Sequence, residues 1–222
     1  MTDEMIMVKR AFETLDTTPK NIFDLGANVG KYSIDFGRIF PKSDIFSFEP
    51  VTSTFETLNK NIDDLAEPGI SKRIKTYNFG ITRDTKLAKI GKPGSRSDKE
   101  TNSGLYSIHS SGDGDFEVQE AQFRSLSEVC KEISARPDFI KLDIEGCEFE
   151  VLDSIKDDIL KDVIGILVEV NYDPAFPSPD DVNELLLFEG FHAFFPEIDY
   201  DPGFSSRNPG VKRAYNRLWV RR

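Results

Sequence analysis

The chain has 222 residues, 38% of them hydrophobic and 30% charged, with 39 Asp and Glu against 28 Lys and Arg for a formal net charge of −11. That length suits one α/β domain with its own core, and 18 Phe among a steady supply of aliphatic residues exclude a wholly disordered chain. No run approaches the roughly 18 apolar residues of a membrane helix, and an acidic field opposes a nucleic-acid backbone, so a soluble chain with no membrane span and no nucleic-acid partner is expected.

The first ten residues set Asp3 and Glu4 ahead of a few apolar positions, unlike the basic-then-apolar layout of a secretory leader. Cys130 and Cys147 form no CxxC pair, so reduced thiols in a cytoplasmic setting are expected rather than a zinc site or a disulfide framework.

In chain order, Met5, Ile6, Val8, Phe12 and Leu15 mark an amphipathic helix ended by Thr17, Thr18 and Pro19. Asn21 to Leu25 is a compact apolar strand running into glycine. Lys31 to Phe40 is the helix after it, stopped by Pro41, and Asp44 to Phe48 is a second strand ending at Glu49 and Pro50. Phe55, Leu58, Ile62 and Leu65 stripe a further helix, with Ser53 and Glu56 spaced as a capping box and Pro68 and Gly69 closing it. Ile74 to Tyr77 is a third strand.

Residues 91–115 include 11 Gly or Ser, plus Pro93, a composition that buries too little to be core. They are expected to form a long loop or mobile lid inside a single domain spanning 1–222, with Leu105 to Ile108 as a short strand within it. Phe116 to Phe123 reads as a strand, Leu126 to Ile133 as a helix, Asp138 to Asp143 as a strand, and Val163 to Val170 as the apolar run of a central parallel strand. Ser178 and Pro179 open a helix that Gly190 stops, and Phe191 to Phe195 and Arg217 to Val220 supply the last strands. Short strands alternating with helices predict an α/β fold with a parallel sheet and crossover helices.

The chemistry concentrates at the turn Asp24-Leu25-Gly26-Ala27-Asn28-Val29-Gly30, where a strand passes into a helix and glycine lets backbone approach a ligand. A nucleotide P-loop is excluded, because only three residues separate Gly26 from Gly30 and Tyr32 follows Lys31. A dinucleotide fingerprint needs Gly where Asn28 and Lys31 stand, which leaves an NAD-type oxidoreductase or epimerase as an alternative. S-adenosyl-L-methionine, with a sulfonium and no phosphate, fits an acidic turn: Asp24 could face its amino-acid end, and Glu49 at the end of the second strand could accept both ribose hydroxyls. Asn78 and Phe79, directly after the third strand, are placed to read the edge and pack on the face of an adenine, although Phe79 could equally be core.

Four stretches, the first containing the turn, set it in context: Phe23 to Ser33, Phe48-Glu49-Pro50, Phe139-Ile140-Lys141-Leu142-Asp143-Ile144-Glu145-Gly146-Cys147-Glu148, and Ile166 to Val170. On these motifs the chain resembles the FkbM family of S-adenosylmethionine-dependent methyltransferases. The resemblance implies a class I methyltransferase fold, Rossmann-like, with a seven-stranded, mostly parallel sheet, helices on both faces and an antiparallel last strand. It also implies O-methylation of a sugar, glycoconjugate or natural-product hydroxyl. The chain departs from the family in having Leu126-Ser127 where Leu-Asp is usual.

Methyl transfer to oxygen needs alignment and one base, and ligands of open α/β sheets sit beyond the strands' carboxyl ends, where Asp143, Glu145, Glu169 and Asn171 fall. Asp143 is the first choice of base and Glu145 the second, while Glu148 reads mainly as a helix cap. Asp143, Glu169 and Asn171 are oxygen donors of the kind Mg²⁺ takes, but the resemblance implies no metal and none is expected. His109, in the glycine-rich segment, could close over an acceptor, and His192 reads as structural. A cofactor-binding subunit without catalysis is a further alternative. Finally, Arg207, Lys212, Arg213, Arg217, Arg221 and Arg222 make the end of the chain basic. They suit either an anionic acceptor or a protected sheet edge.

Overall fold

The computed structural model describes residues 2–92, 117–171, 179–194 and 214–222. In chain order the elements are α1 (Asp3–Thr14), β1 (Asn21–Leu25), α2 (Lys31–Ile39), β2 (Asp44–Phe48), α3 (Thr52–Asp63), α4 (Pro68–Ser71), β3 (Ile74–Tyr77), β4 (Gly80–Thr82) and β5 (Lys86–Lys92). After the undescribed 93–116 come β6 (Glu117–Ser125), α5 (Leu126–Ile133), β7 (Phe139–Leu142), α6 (Glu148–Ile155), β8 (Gly165–Asn171), α7 (Pro179–Phe188), β9 (His192–Ala193) and β10 (Ala214–Val220).

Seven strands form one sheet in the order β3-β2-β1-β7-β8-β10-β9. The first five are mutually parallel, and β10 runs antiparallel to both β8 and β9. This is the class I methyltransferase architecture with its reversed last strand. The inner strands read as apolar runs because both faces are covered. On one face Val8 and Phe12 of α1, Phe36 of α2 and Leu58 of α3 pack on Ile22, Phe139 and Leu167. There Phe12 meets Phe139 and Phe40 edge-on at 5.2 Å each, and Phe36 meets Phe139 at 5.4 Å. On the other face Val129 of α5, Val151 and Leu152 of α6 and Leu186 of α7 pack on Phe23, Ile140 and Ile166. Each such fully buried side chain contributes about 1.5–3 kcal/mol, so the two faces make the sheet a rigid platform for whatever projects from its ends. Among the described residues no helix is long and apolar enough to cross a membrane.

Several local expectations are corrected. The Ser53–Glu56 capping box does not form: the N-cap is Val51, two residues earlier, with no side-chain cap of its own, and the Val51 N–H donates to the Glu49 carboxylate at 2.9 Å. Pro68 opens the single turn of α4, its missing N–H harmless at a first position. A second sheet, β4-β6-β5, was not foreseen, since Lys86 to Lys92 alternates Lys with small and apolar residues and carries no strong strand signal. Its core is Val51, Ile90, Ala121 and Phe123, which stands it beside the carboxyl end of β2. His192 is exposed on the two-residue edge strand β9. The proposed lid beyond Lys92, the 105–108 strand, His109, Ser178, and Arg207, Lys212 and Arg213 lie outside the described residues.

Candidate active site

After β1 the chain turns to β2 on one side, while β7 pairs with β1 on the other. The carboxyl ends of β1 and β7 therefore flank the switch point where open α/β sheets bind ligands. The turn between β1 and α2 comes extremely close to the end of β7: a Cβ on Gly26, whose φ is +80°, would lie 1.8 Å from the Asp143 carbonyl oxygen. Only glycine permits both the left-handed conformation and that approach. The Asp143 N–H then closes the seam by donating to the Leu25 carbonyl at 3.1 Å.

Four of the turn's amides are already engaged. Those of Gly26 and Ala27 both donate to the Phe48 carbonyl at 3.0 and 2.9 Å, and that of Gly30 donates to Ala27 at 2.9 Å. The Asn28 N–H donates to Glu49 at 2.9 Å, from a left-handed Asn28 with φ 50°. A pyrophosphate held on a glycine turn needs inward-facing free amides, and these four are spent on protein acceptors.

Glu49 is 6% exposed. Its two oxygens accept from Asn28 and Val51 at 2.9 Å each, which joins the turn to the end of β2 and leaves a second lone pair on each oxygen. Burial pushes its carboxyl up to about 7, against the pull of those two N–H donors and of Lys141. Asn78 braces the same point from β3, donating to the carbonyls of Glu49 at 2.9 Å and Pro50 at 3.4 Å and accepting from Thr52 at 3.3 Å. The amide expected to read an adenine is thus engaged in holding the end of β2. Phe79 packs 5.6 Å from Phe48 and 5.8 Å from Tyr77, with the Arg124 guanidinium 5.1 Å over its ring.

Across the switch point runs a buried polar row. Asp24 is wholly buried and turned inward rather than toward the crevice: one carboxylate oxygen accepts from Ser33 at 2.6 Å, and the other lies 3.4 Å from the Lys141 ammonium. Ser33 in turn shares a hydrogen bond with Ser47 at 2.8 Å. Lys141, 1% exposed, donates to the Gly26 carbonyl at 2.8 Å and lies 3.2 Å from Asp143 Oδ2. Burial alone would favour its neutral amine, but Asp24 and Asp143 outweigh that and hold its proton. Tyr32 covers the ammonium with its ring at 4.9 Å, donates its hydroxyl to Glu4 of α1 and accepts from Asn216 of β10 at 3.0 Å.

Beyond Lys141 the row becomes acidic. One oxygen from each of Asp143, Glu145 and Glu169 lies within 4.8 Å of the others. Burial first, then the charges of Asp143, Glu145 and Glu148, push the Glu169 carboxyl far above the usual carboxylate range, and it hydrogen-bonds Asp143. At neutral pH Glu169 is therefore a proton-bearing carboxyl of the cluster. Hard oxygens this close could also share a divalent cation, but Lys141 and the proton on Glu169 are compensation the chain itself supplies. Glu145 is held at φ 56°, a left-handed conformation that a non-glycine residue adopts only under outside constraint. The constraint is Glu148, buried, whose carboxylate accepts from Ile144 and Gly146 at 2.9 Å each. Glu148 thus clamps the loop before α6, a variation on the structural role expected of it.

The structure brings all the expected residues to one rim of the sheet: Asp24, Gly26, Asn28, Gly30, Glu49, Asn78, Phe79, Asp143 and Glu145. Glu169, named above as a strand-end carboxylate, joins them, and Lys141 is an addition to that set. A lone charge inside the apolar run Phe139-Ile140-Lys141-Leu142 was the available signal for Lys141. Of the basic tail, Arg217 bonds Asn183, and Arg221 donates to the carbonyls of Leu160 at 2.6 Å, Val163 at 2.9 Å and Glu189 at 3.2 Å. Arg221 is therefore an internal clamp at the opposite end of β8.

Comparison with known proteins gives the same picture. The family described as the methyltransferase FkbM domain matches residues 24–193. Methyltransferase 1 of Beauveria bassiana is 27% identical over 166 residues, 67% of this chain and 64% of its own length. Methyltransferase sdnD of Sordaria araneosa is 26% identical over 207 residues, 83% of this chain and 79% of its own. Among solved structures, methyltransferase FkbM from Methylobacillus flagellatus superposes with a TM-score of 0.55 at 16% identity over 90% of this chain. The N-terminal domain of EvdMO1, solved in the presence of SAH and D-fucose, gives a TM-score of 0.51 at 10% identity, covering 99% of this chain and 81% of its own. The match spans under two thirds of Methyltransferase 1 and 43% of the M. flagellatus protein.

Proposed function

The chain belongs to the FkbM methyltransferase family, and from that premise we propose that it transfers a methyl group from S-adenosylmethionine to a hydroxyl of a sugar, glycoconjugate or hydroxylated natural product. The observation that carries this reading is the buried Lys141, which joins a glycine turn that spends four of its amides on protein acceptors to the carboxylate of Asp143 at the switch point.

The residues fit such a donor. Glu49 has a free lone pair on each oxygen for the two ribose hydroxyls, and the rim is acidic where a cationic sulfonium and ammonium would come. The glycine turn Gly26–Gly30 gives the donor backbone to lie against, and Phe79 offers an aromatic wall beside β3. When bound, S-adenosylmethionine supplies an activated methyl group with a neutral thioether as leaving group.

The protein's own part is alignment and proton removal. The hydroxyl proton released as the acceptor oxygen takes the methyl group would pass to Asp143 or Glu145 at the end of β7. Asp143 is the better placed of the two, since Lys141, 3.2 Å from its Oδ2, steadies it at the end of β7. Glu169 itself, already protonated, is not the base.

Calorimetry with S-adenosylhomocysteine and with NAD, followed by transfer from labelled donor to a panel of sugars, glycolipids and hydroxylated metabolites, tests the reading. Binding of S-adenosylhomocysteine but not NAD, with transfer to a neutral hydroxyl, is expected. NAD binding without a response to S-adenosylhomocysteine would turn the assignment to an oxidoreductase or epimerase. Donor binding with no transfer to any acceptor would leave a non-catalytic cofactor-binding subunit.

A further inference from the structure

Lys141 takes no direct part in the reaction just described, yet it is the most heavily engaged side chain at the rim. It is the third residue of β7, between Ile140 and Leu142, in a strand that is otherwise apolar. Its ammonium donates to the Gly26 carbonyl at 2.8 Å and pairs with the carboxylates of Asp143 at 3.2 Å and Asp24 at 3.4 Å. A fully buried ion pair gives little net stability over a well-packed apolar side chain, and methionine would fill much the same space. What methionine could not do is hold three separate pieces of chain to one point. The sheet's own hydrogen bonds fix the backbones of β1 and β7. The Ala27 N–H, which donates to Phe48, orients the Gly26–Ala27 peptide from the β2 side, but these backbone bonds do not set the direction of the Asp143 side chain relative to that peptide, and Lys141 touches both.

We propose that Lys141 is a positioning residue that couples donor binding to the acceptor-side carboxylate, holding the Gly26–Gly30 turn and Asp143 in fixed relation. A donor seated on the turn then finds the carboxylate already placed. The inference rests on the turn being the donor site, and binding of S-adenosylhomocysteine to the unaltered chain is the control for that reading.

The test is a double-mutant cycle on S-adenosylhomocysteine affinity, measured by calorimetry on folded Lys141→Met, Asp143→Asn and the double variant. Lys141→Met should weaken binding on the order of tenfold, a typical coupling between linked sites. The double variant should be no weaker than Lys141→Met alone, because the influence of Asp143 reaches the turn through the same ammonium. A purely structural lysine would change the melting temperature and leave the affinity of the folded chain alone. Unchanged affinity in folded Lys141→Met, or losses that simply add, overturn the proposal. If Lys141→Met strands the buried Asp24 charge and fails to fold, Lys141→Met combined with Asp24→Asn removes that charge and keeps an acceptor for Ser33, and the cycle is repeated on that background. Failure of both to fold assigns Lys141 to stability alone and also overturns the proposal. If the unaltered chain binds no S-adenosylhomocysteine, it is the donor reading that fails instead.

Discussion

Burial at the end of β2 makes donor binding depend on pH through Glu49. The carboxyl is 6% exposed and sits at about 7, raised by burial against the two backbone N–H groups that bond it. Ribose hydroxyls bond the ionised form better than the neutral acid, so affinity for S-adenosylhomocysteine should rise with pH and level off once Glu49 is ionised. Between pH ~6 and ~8 the ionised fraction goes from about one tenth to about nine tenths, so the dissociation constant should fall roughly tenfold, about 1.4 kcal/mol. Glu49→Gln removes the titrating group. It should bind about 1.5–3 kcal/mol more weakly at the upper end and show a flat profile relative to the native chain. Titration of the ligand itself appears equally in both chains and drops out of the comparison. The substitution also leaves either the Asn28 or the Val51 N–H without its acceptor, so a stability loss of about 1–3 kcal/mol should accompany it, and melting must be checked first. Calorimetry across the pH range, in buffers of differing ionisation heat, reads both the affinity and the protons taken up. Parallel profiles for native and Glu49→Gln chains, both folded, would refute the reasoning and remove Glu49 from the donor site.

Glu169 is raised in the folded chain, so its stabilising share is complete below the unfolded value near 4.5 and is lost as pH rises toward the folded one. Glu169→Gln, neutral throughout, should therefore raise the melting temperature at pH ~8 and leave it unchanged at pH ~4, and an equal shift at both would show that charge is not the cause. Gly26→Ala places a methyl 1.8 Å from the Asp143 carbonyl at φ +80° and should destabilise by at least about 3 kcal/mol, which denaturant unfolding measures. Asp143→Asn should lower kcat on the order of 10²- to 10⁴-fold with a smaller change in KM, and Glu145→Gln by less; the reverse order would make Glu145 the base.

The sequence by itself determined most of the platform. β1, β2 and β3 and the helix 126–133 have the predicted bounds, because apolar runs, prolines, glycines and the Ser125 cap act over a few neighbouring residues. The glycine turn and the carboxylates after the strands were legible for the same reason: strand ends are where an α/β sheet presents side chains. What Asp24, Lys141 and Asn78 do there was decided only by the tertiary structure. Asp24 looks like a ligand contact until the parallel pairing of β1 with β7 sets Lys141 beside it, and Lys141 reaches Gly26 across 115 positions of chain. Asn78 reads as a base contact until it meets the carbonyls of Glu49 and Pro50 just past β2, and the helix expected to be capped at Ser53 starts instead from Val51, whose N–H the Glu49 carboxylate accepts. Local periodicity records which residues are buried. Which partner a buried charge finds depends on strand order and register, set by the packing of the whole sheet, and a buried lysine must take whichever acceptors that packing delivers.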